Sequence, residues 1–300
     1  MHATTAPAAH PAHRLWITDL LLLLMATIWG VNFSVVKFGL RFMEPLAFNA
    51  VRVTLAAVTL LVIARARGLP LPPRRQLWGL LALGVLGHGV YQALFVEGMA
   101  RTRAGSASLV MAGTPVLIAM LGRLRGVERL HARGYAGIAL SIAGIAVVMS
   151  GSAAAGAGDA SIVGDALILM ASASWAIYTV FLKPYTHHVD GVQVSALTLV
   201  GGALPLGVLS LPAIMRTDWT ALPAAAWGSV VYGALFALVI AYLIWYRGIR
   251  LIGPTRTSMF SNLQPIIAVL FAWMALGETP TLAQGMGAAA VLTGLLLTRS

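Results

Sequence analysis

The second half of the chain repeats the first half at a nearly constant offset. Three residues recur 146 positions later, in the pairs Asp19 and Asp165, Trp29 and Trp175, and Lys37 and Lys183. Five more recur after 150 positions, in the pairs Gly98 and Gly248, Pro115 and Pro265, Glu128 and Glu278, Gly137 and Gly287, and Gly144 and Gly294. Self-similarity at a fixed period marks a duplicated fold, so the pattern predicts two related structural units.

Composition indicates that the repeated unit lies in a membrane. Of the 300 residues, 59% are apolar and 10% are charged, which describes no soluble domain. We predict an all-α polytopic membrane protein with ten transmembrane helices arranged as two five-helix repeats. The predicted spans are 16–36, 45–64, 77–97, 103–122, 131–150, 164–183, 190–210, 224–246, 254–274 and 281–298. Because five is odd, the second repeat must enter the bilayer from the opposite side, so the repeats are inverted.

Three segments follow from these spans. Residues 1–14, rich in Ala, His, Pro and Thr, are expected to form a disordered cytoplasmic tail. The first five-helix repeat covers 15–150, and the second, inverted repeat covers 164–299. The spans leave only short loops, so we expect no large activity outside the membrane.

The basic residues predict the orientation of the chain. The alternating loops place 14 of the 20 Lys and Arg residues on one side of the membrane and 5 on the other, with Arg52 inside a span. The positive-inside rule then places both termini in the cytoplasm. We expect a multi-pass protein of the inner membrane. The same bias accounts for the net charge of +11, so no nucleic acid is expected as a partner, whereas the lipid bilayer is.

The first and sixth spans carry matching polar stripes. Trp29 and Asn32 share one helical face, and Trp175 and Tyr178 occupy the corresponding face of the second copy. An amide or hydroxyl that faced lipid would lack a partner, so these faces are expected to point toward protein or water. Two interpretations stay open: the groups bind a small molecule, or they form hydrogen bonds between helices.

The third and eighth spans add a second pair of faces. His88, Tyr91 and Gln92 follow at i, i+3 and i+4, and Tyr242 and Trp245 lie on the matching face of the second copy. His88 is expected about 16 Å into a hydrocarbon core about 30 Å thick. It either binds a carboxylate or carries a proton, or it is a neutral imidazole bonded to a backbone carbonyl.

Prolines interrupt the fourth and ninth spans at matched depth. Pro115 and Pro265 each remove the hydrogen bond to the carbonyl four residues earlier, so both helices are expected to kink. Asn262 and Gln264 lie around the second kink. Such polar, kinked helices line a path or bend as gates, and a kink that only helps packing is the alternative.

The other charged residues are expected to be structural. Arg52 is expected to extend toward the surface or to pair with a carboxylate such as Glu44 or Glu97. Glu128 and Glu278 precede the fifth and tenth spans, where a carboxylate favours the positive end of a helix.

No catalytic, metal or cofactor site is indicated. His187, His188 and Asp190 form a short polar cluster, but their spacing matches no strong ligand pattern. His88 has neither a carboxylate nor a cysteine in its own span, and no GxSxG motif occurs, so we do not expect an enzyme.

Four motifs carry a resemblance to a known family. They are WGVNF at 29–33, WAIYT at 175–179, GVERL at 126–130 and LGETP at 276–280. Together with the two proline-kinked spans, these motifs resemble the EamA family of the drug/metabolite transporter superfamily. The resemblance covers about 280 residues of the chain. The resemblance implies a basket-like helical transporter of the inner membrane that moves small metabolites, often amino acids, outward. The aromatic residues make the chain similar to the YddG-like aromatic amino acid exporter branch.

The working hypothesis is therefore an inner-membrane exporter that works by alternating access. Its expected substrates are amino acids, aromatic amino acids among them. Its stacking surfaces would be Trp29, Tyr91, Trp175, Tyr178, Tyr242 and Trp245, and its polar contacts Asn32, His88, Gln92, Asn262 and Gln264. Transport of another metabolite or drug is one alternative, and a non-transporting membrane scaffold is another, against which the matched polar stripes argue. Proton coupling or facilitated diffusion, and a monomer or a homodimer, all remain open.

Overall fold

A computed structural model describes residues 11–124, 132–152, 158–252, 257 and 260–299. Within these ranges the chain forms ten helices joined by short connections. They are α1 (Pro11–Gly39), α2 (Pro45–Ala66), α3 (Arg74–Arg101), α4 (Ala104–Leu124), α5 (Ala132–Ser152), α6 (Gly158–Leu182), α7 (Gly191–Arg216), α8 (Ala224–Ile252), α9 (Ser261–Leu276) and α10 (Leu282–Arg299).

The helices confirm the predicted all-α polytopic membrane fold. In the described ranges, α1 to α8 are each long and apolar enough to cross a membrane, whereas α9 is apolar but shorter. Helix α1 begins at Pro11, so residues 11–14 of the expected tail are helical, and residues 1–10 lie outside the described part. The predicted starts of the fifth and ninth spans, at 131 and 254, also lie outside it.

Helix packing follows the sequence repeat. Helix α2 packs against its counterpart α7, and α5 packs against its counterpart α10. Helix α1 packs against α8 and α9 of the other repeat, and α6 packs in the same way against α3 and α4. Each repeat therefore places its first helix among helices of the other repeat, and the space between them is lined by both.

Small residues hold α5 and α10 together. A Cβ atom at Gly144 would lie 2.8 Å from the carbonyl oxygen of Gly287, closer than real Cβ atoms come. Ser141 donates a hydrogen bond of 3.3 Å to the carbonyl of Val291. Since lipid supplies no hydrophobic drive between helices, this close backbone approach is what van der Waals packing requires.

Four helices carry matched irregularities. Residues Val85–Val90 of α3 and Tyr232–Ile240 of α8 form wide π-helical turns, in which the amides of Tyr91 and Ala241 bond to carbonyls five residues earlier. Helix α4 is interrupted between Met111 and Thr114, and α9 opens with a short 3-10 turn before Gln264. In both places Pro115 or Pro265 occupies the first turn of the helix that resumes, where its missing N–H costs little.

The helical bundle has two ends, called the Glu44 end and the Asp190 end after the residues that precede α2 and α7. The Glu44 end holds the connections α1–α2, α3–α4, α7–α8 and α9–α10, and the Asp190 end holds α2–α3 and α6–α7. At the Glu44 end, α9 stops at Gly277, whose φ of +69° is the left-handed conformation that favours glycine.

Candidate functional site

A cavity lies between the two repeats. It is lined by side chains of α1, α2, α3 and α4 from the first repeat and of α6, α8 and α9 from the second. Nine of the eleven predicted substrate residues line it, namely Trp29, Asn32, Tyr91, Gln92, Trp175, Tyr242, Trp245, Asn262 and Gln264. The predicted kink residues Pro115 and Pro265 line it as well.

One side of the cavity is an aromatic wall, formed by Trp29, Tyr91, Trp175, Tyr242 and Trp245. The ring of Trp175 lies 5.1 Å from that of Tyr91 and 5.7 Å from that of Tyr242, between centroids. The ring of Trp29 lies 5.9 Å from Tyr242 and 5.6 Å from Trp245. These separations are those of favourable tilted and edge-to-face pairs, so the rings form a continuous surface contributed by both repeats.

The wide turns of α3 and α8 are tied to the first helix of the opposite repeat. In α8, the carbonyl of Ala237 accepts a 2.9 Å hydrogen bond from the indole N–H of Trp29. In α3, the carbonyl of Leu86 accepts a 2.9 Å hydrogen bond from the hydroxyl of Ser174 in α6. A wide turn disturbs the backbone ladder, and these donors satisfy groups that lipid could not. Helical periodicity does not predict the wide turns, although both contain glycine.

The lining of the cavity also includes a buried arginine. Arg52 of α2 is 1% exposed and donates 2.8 Å from Nε to Asn49 Oδ1 and 2.6 Å from Nη2 to Gln92 Oε1. Asn49 in turn donates 2.7 Å to the carbonyl of Gln92. Arg52, Asn49 and Gln92 are called the Arg52 cluster below.

The expected contacts of Arg52 are therefore wrong. It neither extends to the surface nor pairs with Glu44 or Glu97, because Glu44 is bonded to Arg216 and Glu97 to Arg101. A sequence shows the depth of a residue along its helix but not which neighbouring helix its side chain meets, so Arg52 was not expected in the cavity. The only sequence feature that pointed to a role for Arg52 at this depth was a basic residue inside a predicted span.

His88 and Tyr178 were predicted to line the cavity, and the structure places both behind the aromatic wall. His88 is fully buried, and its Nε2 lies 3.3 Å from the hydroxyl of Tyr178. The Tyr178 hydroxyl also bonds to Tyr246 at 2.5 Å and donates 3.3 Å to Thr198 Oγ1. His88, Tyr178, Thr198 and Tyr246 are called the Tyr178 cluster below.

The wide turn of α3 explains the position of His88. The predicted face assumed regular helical spacing from His88 to Gln92, whereas one extra residue in a turn rotates the following side chains by about 100°. His88 therefore points toward α6 and α7, while Tyr91 and Gln92 line the cavity. Tyr178 packs over Gly87, a position where any Cβ atom would meet its ring.

Polar groups collect where α4 and α9 are interrupted. The carbonyl of Met111 accepts a 2.6 Å hydrogen bond from the Thr114 hydroxyl, so the group released before Pro115 finds a side-chain partner. Ser261 and Asn262 line the cavity at the matching interruption of α9. The interrupted helices thus bring polar groups to the cavity between the repeats.

Polar contacts join helices at the Glu44 end, one set within the first repeat and one between the repeats. Lys37 Nζ donates 2.8 Å to the carbonyl of Met99 and 2.6 Å to that of Thr102, where α3 ends. Glu278 accepts from the amides of Ala104 and Gly105, at 3.1 and 3.2 Å, where α4 begins. Glu278 thus stabilises the start of α4, rather than that of α10 as expected, whereas Glu128 lies outside the described residues.

The described lining of the cavity carries a positive charge and no negative charge. Among the lining residues that the structure describes, Arg52 is charged and none is a carboxylate. The other polar lining groups are amides, hydroxyls and ring N–H groups, which are neutral. The site therefore combines an aromatic wall with a single buried cation.

Comparison with known proteins identifies the architecture. The chain matches the model of the EamA-like transporter family over residues 16–150 and again over 162–300. It is 28% identical to the uncharacterised transporter YyaM of Bacillus subtilis (strain 168), over 92% of each chain. A solved crystal structure of a protein superimposes with a TM-score of 0.68 over 93% of this chain and 95% of that one, at 19% identity, a likeness that concerns the fold alone.

Two further relatives have names that mention a substrate. The chain is 30% identical to a probable amino-acid metabolite efflux pump of Escherichia coli (strain K12), over 92% of this chain and 93% of the relative. It is 29% identical to a probable terminal-alkyne amino-acid exporter of Streptantibioticus cattleyicolor, over 92% of this chain and 91% of the relative. With both halves matched, this chain belongs to the EamA-like transporter family.

Proposed function

We propose that this transporter exports amino acids or closely related metabolites with an apolar or aromatic body, by alternating access. The observation that carries the proposal is the cavity between the repeats, whose lining joins an aromatic wall to several polar groups. An apolar pocket with a few convergent polar groups is the usual form of a small-molecule site.

The aromatic wall suits the apolar body of such a substrate, and the polar lining groups suit its polar end. The rings of Trp29, Trp175 and Tyr242 offer flat surfaces for an apolar side chain. Asn32, Gln92, Asn262 and Gln264 offer amides that orient polar groups. His88 and Tyr178 contribute indirectly in this proposal, by holding Trp175 and Tyr242 in place from behind.

The names of two relatives support the choice of substrate. Both the probable amino-acid metabolite efflux pump and the probable terminal-alkyne amino-acid exporter carry names that mention amino acids and outward transport. The proposal extends that class of substrate and that direction to this chain.

Alternating access would use the contacts at the Glu44 end as one gate. Lys37 and Glu278 bind the end of α3 and the start of α4, so these bonds must break before the cavity opens toward that end. The interruptions at Pro115 and Pro265 give α4 and α9 places to bend. The basic loops favour a cytoplasmic Asp190 end in an inner membrane, with both termini inside.

Transport by purified protein in liposomes tests the proposal. Labelled phenylalanine is expected to cross with the wild type, with or without an imposed pH gradient, and a dependence on that gradient would reveal proton coupling. Trp175→Ala removes the centre of the aromatic wall and is expected to weaken transport about tenfold. Trp78→Ala is the matched control, because Trp78 is 68% exposed and lies away from the cavity. Equal losses in both variants, or no movement of any amino acid or related metabolite, would contradict the proposal.

A further inference from the structure

Arg52 is held rigidly but not fully bonded. Its Nε and Nη2 donate to Asn49 and Gln92, and the rings of Phe48 and Phe95 lie 5.6 and 5.8 Å from its Cζ. The remaining terminal nitrogen, Nη1, is buried and has no hydrogen-bond partner in the part of the chain that the structure describes. The guanidinium therefore has a fixed orientation, and one of its terminal nitrogens, Nη1, has no described partner.

Among the residues that the structure describes, none supplies a negative charge to Arg52. Its described hydrogen-bond partners are neutral amides, and the described cavity lining contains no carboxylate. A buried charge without a counter-charge is costly, and the faces of aromatic rings offset only part of that cost. The arrangement therefore lacks an anion.

A second unpaired group lies next to this donor. The amide oxygen of Asn32 is buried without a hydrogen-bond partner in the described residues. Both Arg52 Nη1 and Asn32 Oδ1 lie within 4 Å of the position that a Cβ atom would take at Gly233, at 3.4 and 3.8 Å. The same position lies 3.2 Å from Arg52 Cδ, so a side chain at residue 233 would press on Arg52. The two unpaired groups belong to residues that line the cavity.

We propose that Arg52 Nη1 binds the carboxylate of the transported molecule, and that the preferred substrates are carboxylate anions with an apolar or aromatic body. This inference rests on the proposed function and narrows its substrate class. Asn32 accepts a hydrogen bond from a donor beside the carboxylate, such as a 2-hydroxyl or 2-amino group. A positively charged amino group is not required, because the described lining has no carboxylate to balance it.

The charge balance sets the order of preference. A 2-hydroxy acid neutralises Arg52 and still donates to Asn32, so it fits best. A zwitterionic amino acid brings an additional positive charge into a cavity that already holds one, so it binds more weakly. An amine without a carboxylate adds a cation and removes the anion, so it does not bind.

Four compounds with the same phenyl body test the order. Purified wild-type protein is titrated at pH 7 with 3-phenyllactate, phenylalanine, 3-phenylpropionate and 2-phenylethylamine, and binding is followed by thermal stabilisation and by competition for uptake in liposomes. We expect 3-phenyllactate to bind about threefold to tenfold more tightly than phenylalanine, and 2-phenylethylamine not to bind.

Two substitutions assign the effect to the arginine. Arg52→Gln removes the charge and is expected to abolish the preference for carboxylates, and Arg52→Lys keeps the charge and should retain part of it. Arg65→Gln is the matched control, since Arg65 is an exposed residue of the same helix. Should Arg52→Gln fail to fold, the compound series on the wild type still decides the proposal.

The outcomes separate this inference from the proposed function. Binding of the carboxylates but not of 2-phenylethylamine supports both when phenylalanine is transported. Binding of 3-phenyllactate without any transport of amino acids supports the Arg52 site and overturns the amino acid proposal. Equal binding of phenylalanine and 2-phenylethylamine leaves amino acid transport standing and overturns the Arg52 site. No binding by any of the four compounds overturns both.

Discussion

Three positions beside the cavity in the first repeat, Arg52, Asn32 and Gln92, differ in chemistry from their counterparts in the second repeat. Arg52 and Thr198 are 146 positions apart, as are Asn32 and Tyr178, and Gln92 and Tyr242 are 150 apart. In the first repeat these positions hold a guanidinium and amides that reach the cavity. In the second repeat they hold hydroxyls, with Tyr178 and Thr198 bonded to each other behind the aromatic wall.

The difference shows how two repeats with equivalent helices can form an asymmetric site. Helix positions, wide turns and interruptions are shared, so the cavity is built from equivalent helices on both sides. The first repeat supplies a buried charge with a free donor, and the second supplies a rigid, neutral support for Trp175 and Tyr242. The two sides of the site can therefore differ in chemistry while the helices that frame it stay related.

Gln92→Leu is expected to have the largest effect on stability. The change leaves Nη2 of Arg52 without its 2.6 Å acceptor in a buried site, and an unsatisfied charged donor costs about 2–3 kcal/mol. Unfolding in detergent micelles, followed by circular dichroism, measures the loss. Gln76→Leu, near the start of the same helix, is the control and should change the free energy of unfolding little. A loss no greater than that of the control would mean that the Arg52 cluster does not need its acceptor.

Gln92→Glu is expected to separate stability from transport. A carboxylate at this position would give Arg52 an internal counter-charge in place of the neutral amide oxygen. The folded protein should therefore remain stable, while transport of a carboxylate substrate falls about tenfold because the anion must compete with the new side chain. Uptake in liposomes beside an unfolding measurement checks both parts. Unchanged transport would show that the charge of Arg52 is not used by the substrate.

Much of the frame was predictable from the sequence because its signals are local. Long apolar runs indicate helices, and prolines in two of them mark the interruptions at Pro115 and Pro265. The aromatic residues at 29, 91, 175, 242 and 245 were each assigned to a polar helical face by the spacing within their own span, and all five line the cavity.

The remaining features depend on contacts between distant segments. The bonds of Arg52 to Gln92, and of Glu278 to the start of α4, join helices that no spacing rule brings together. The wide turn in α3 also changes which face His88 occupies, and helical periodicity alone gives no sign of an additional residue in a turn.

Tyr246→Phe is expected to have a smaller effect, confined to stability. It removes the hydroxyl that bonds to Tyr178 in a cluster of neutral groups, a change of about 1 kcal/mol. Transport should be largely retained, because neither tyrosine lines the cavity. Tyr135→Phe, at a half-exposed tyrosine of α5, is the control. A severe loss of transport with normal stability would instead mean that the Tyr178 cluster takes part in substrate binding.

The smallest effect is expected at the Glu44 end, where the repeats differ again. Glu44 accepts 2.9 and 2.7 Å hydrogen bonds from Nε and Nη2 of Arg216, whereas its counterpart Asp190 accepts from the amide of Val192 and begins α7. The hydrogen bonds from Arg216 lower the pKa of the Glu44 carboxyl below its ordinary value of 4.5. Because the folded-state pKa is the lower one, the stabilisation is complete above pH 4.5 and is lost as the pH falls through the lowered value.

Glu44→Gln should therefore leave the unfolding temperature at pH 7 nearly unchanged, since exposed ion pairs contribute little. The variant should also lose the small decrease in stability that the wild type shows in acid. Asp190→Ala removes a side chain that caps a helix and should cost more than Glu44→Gln at neutral pH. Melting curves of the three proteins between neutral and acidic pH measure the contrast. If Glu44→Gln were the more damaging of the two, the Glu44 end would depend on its ion pair rather than on the part-buried bonds of Lys37 and Glu278.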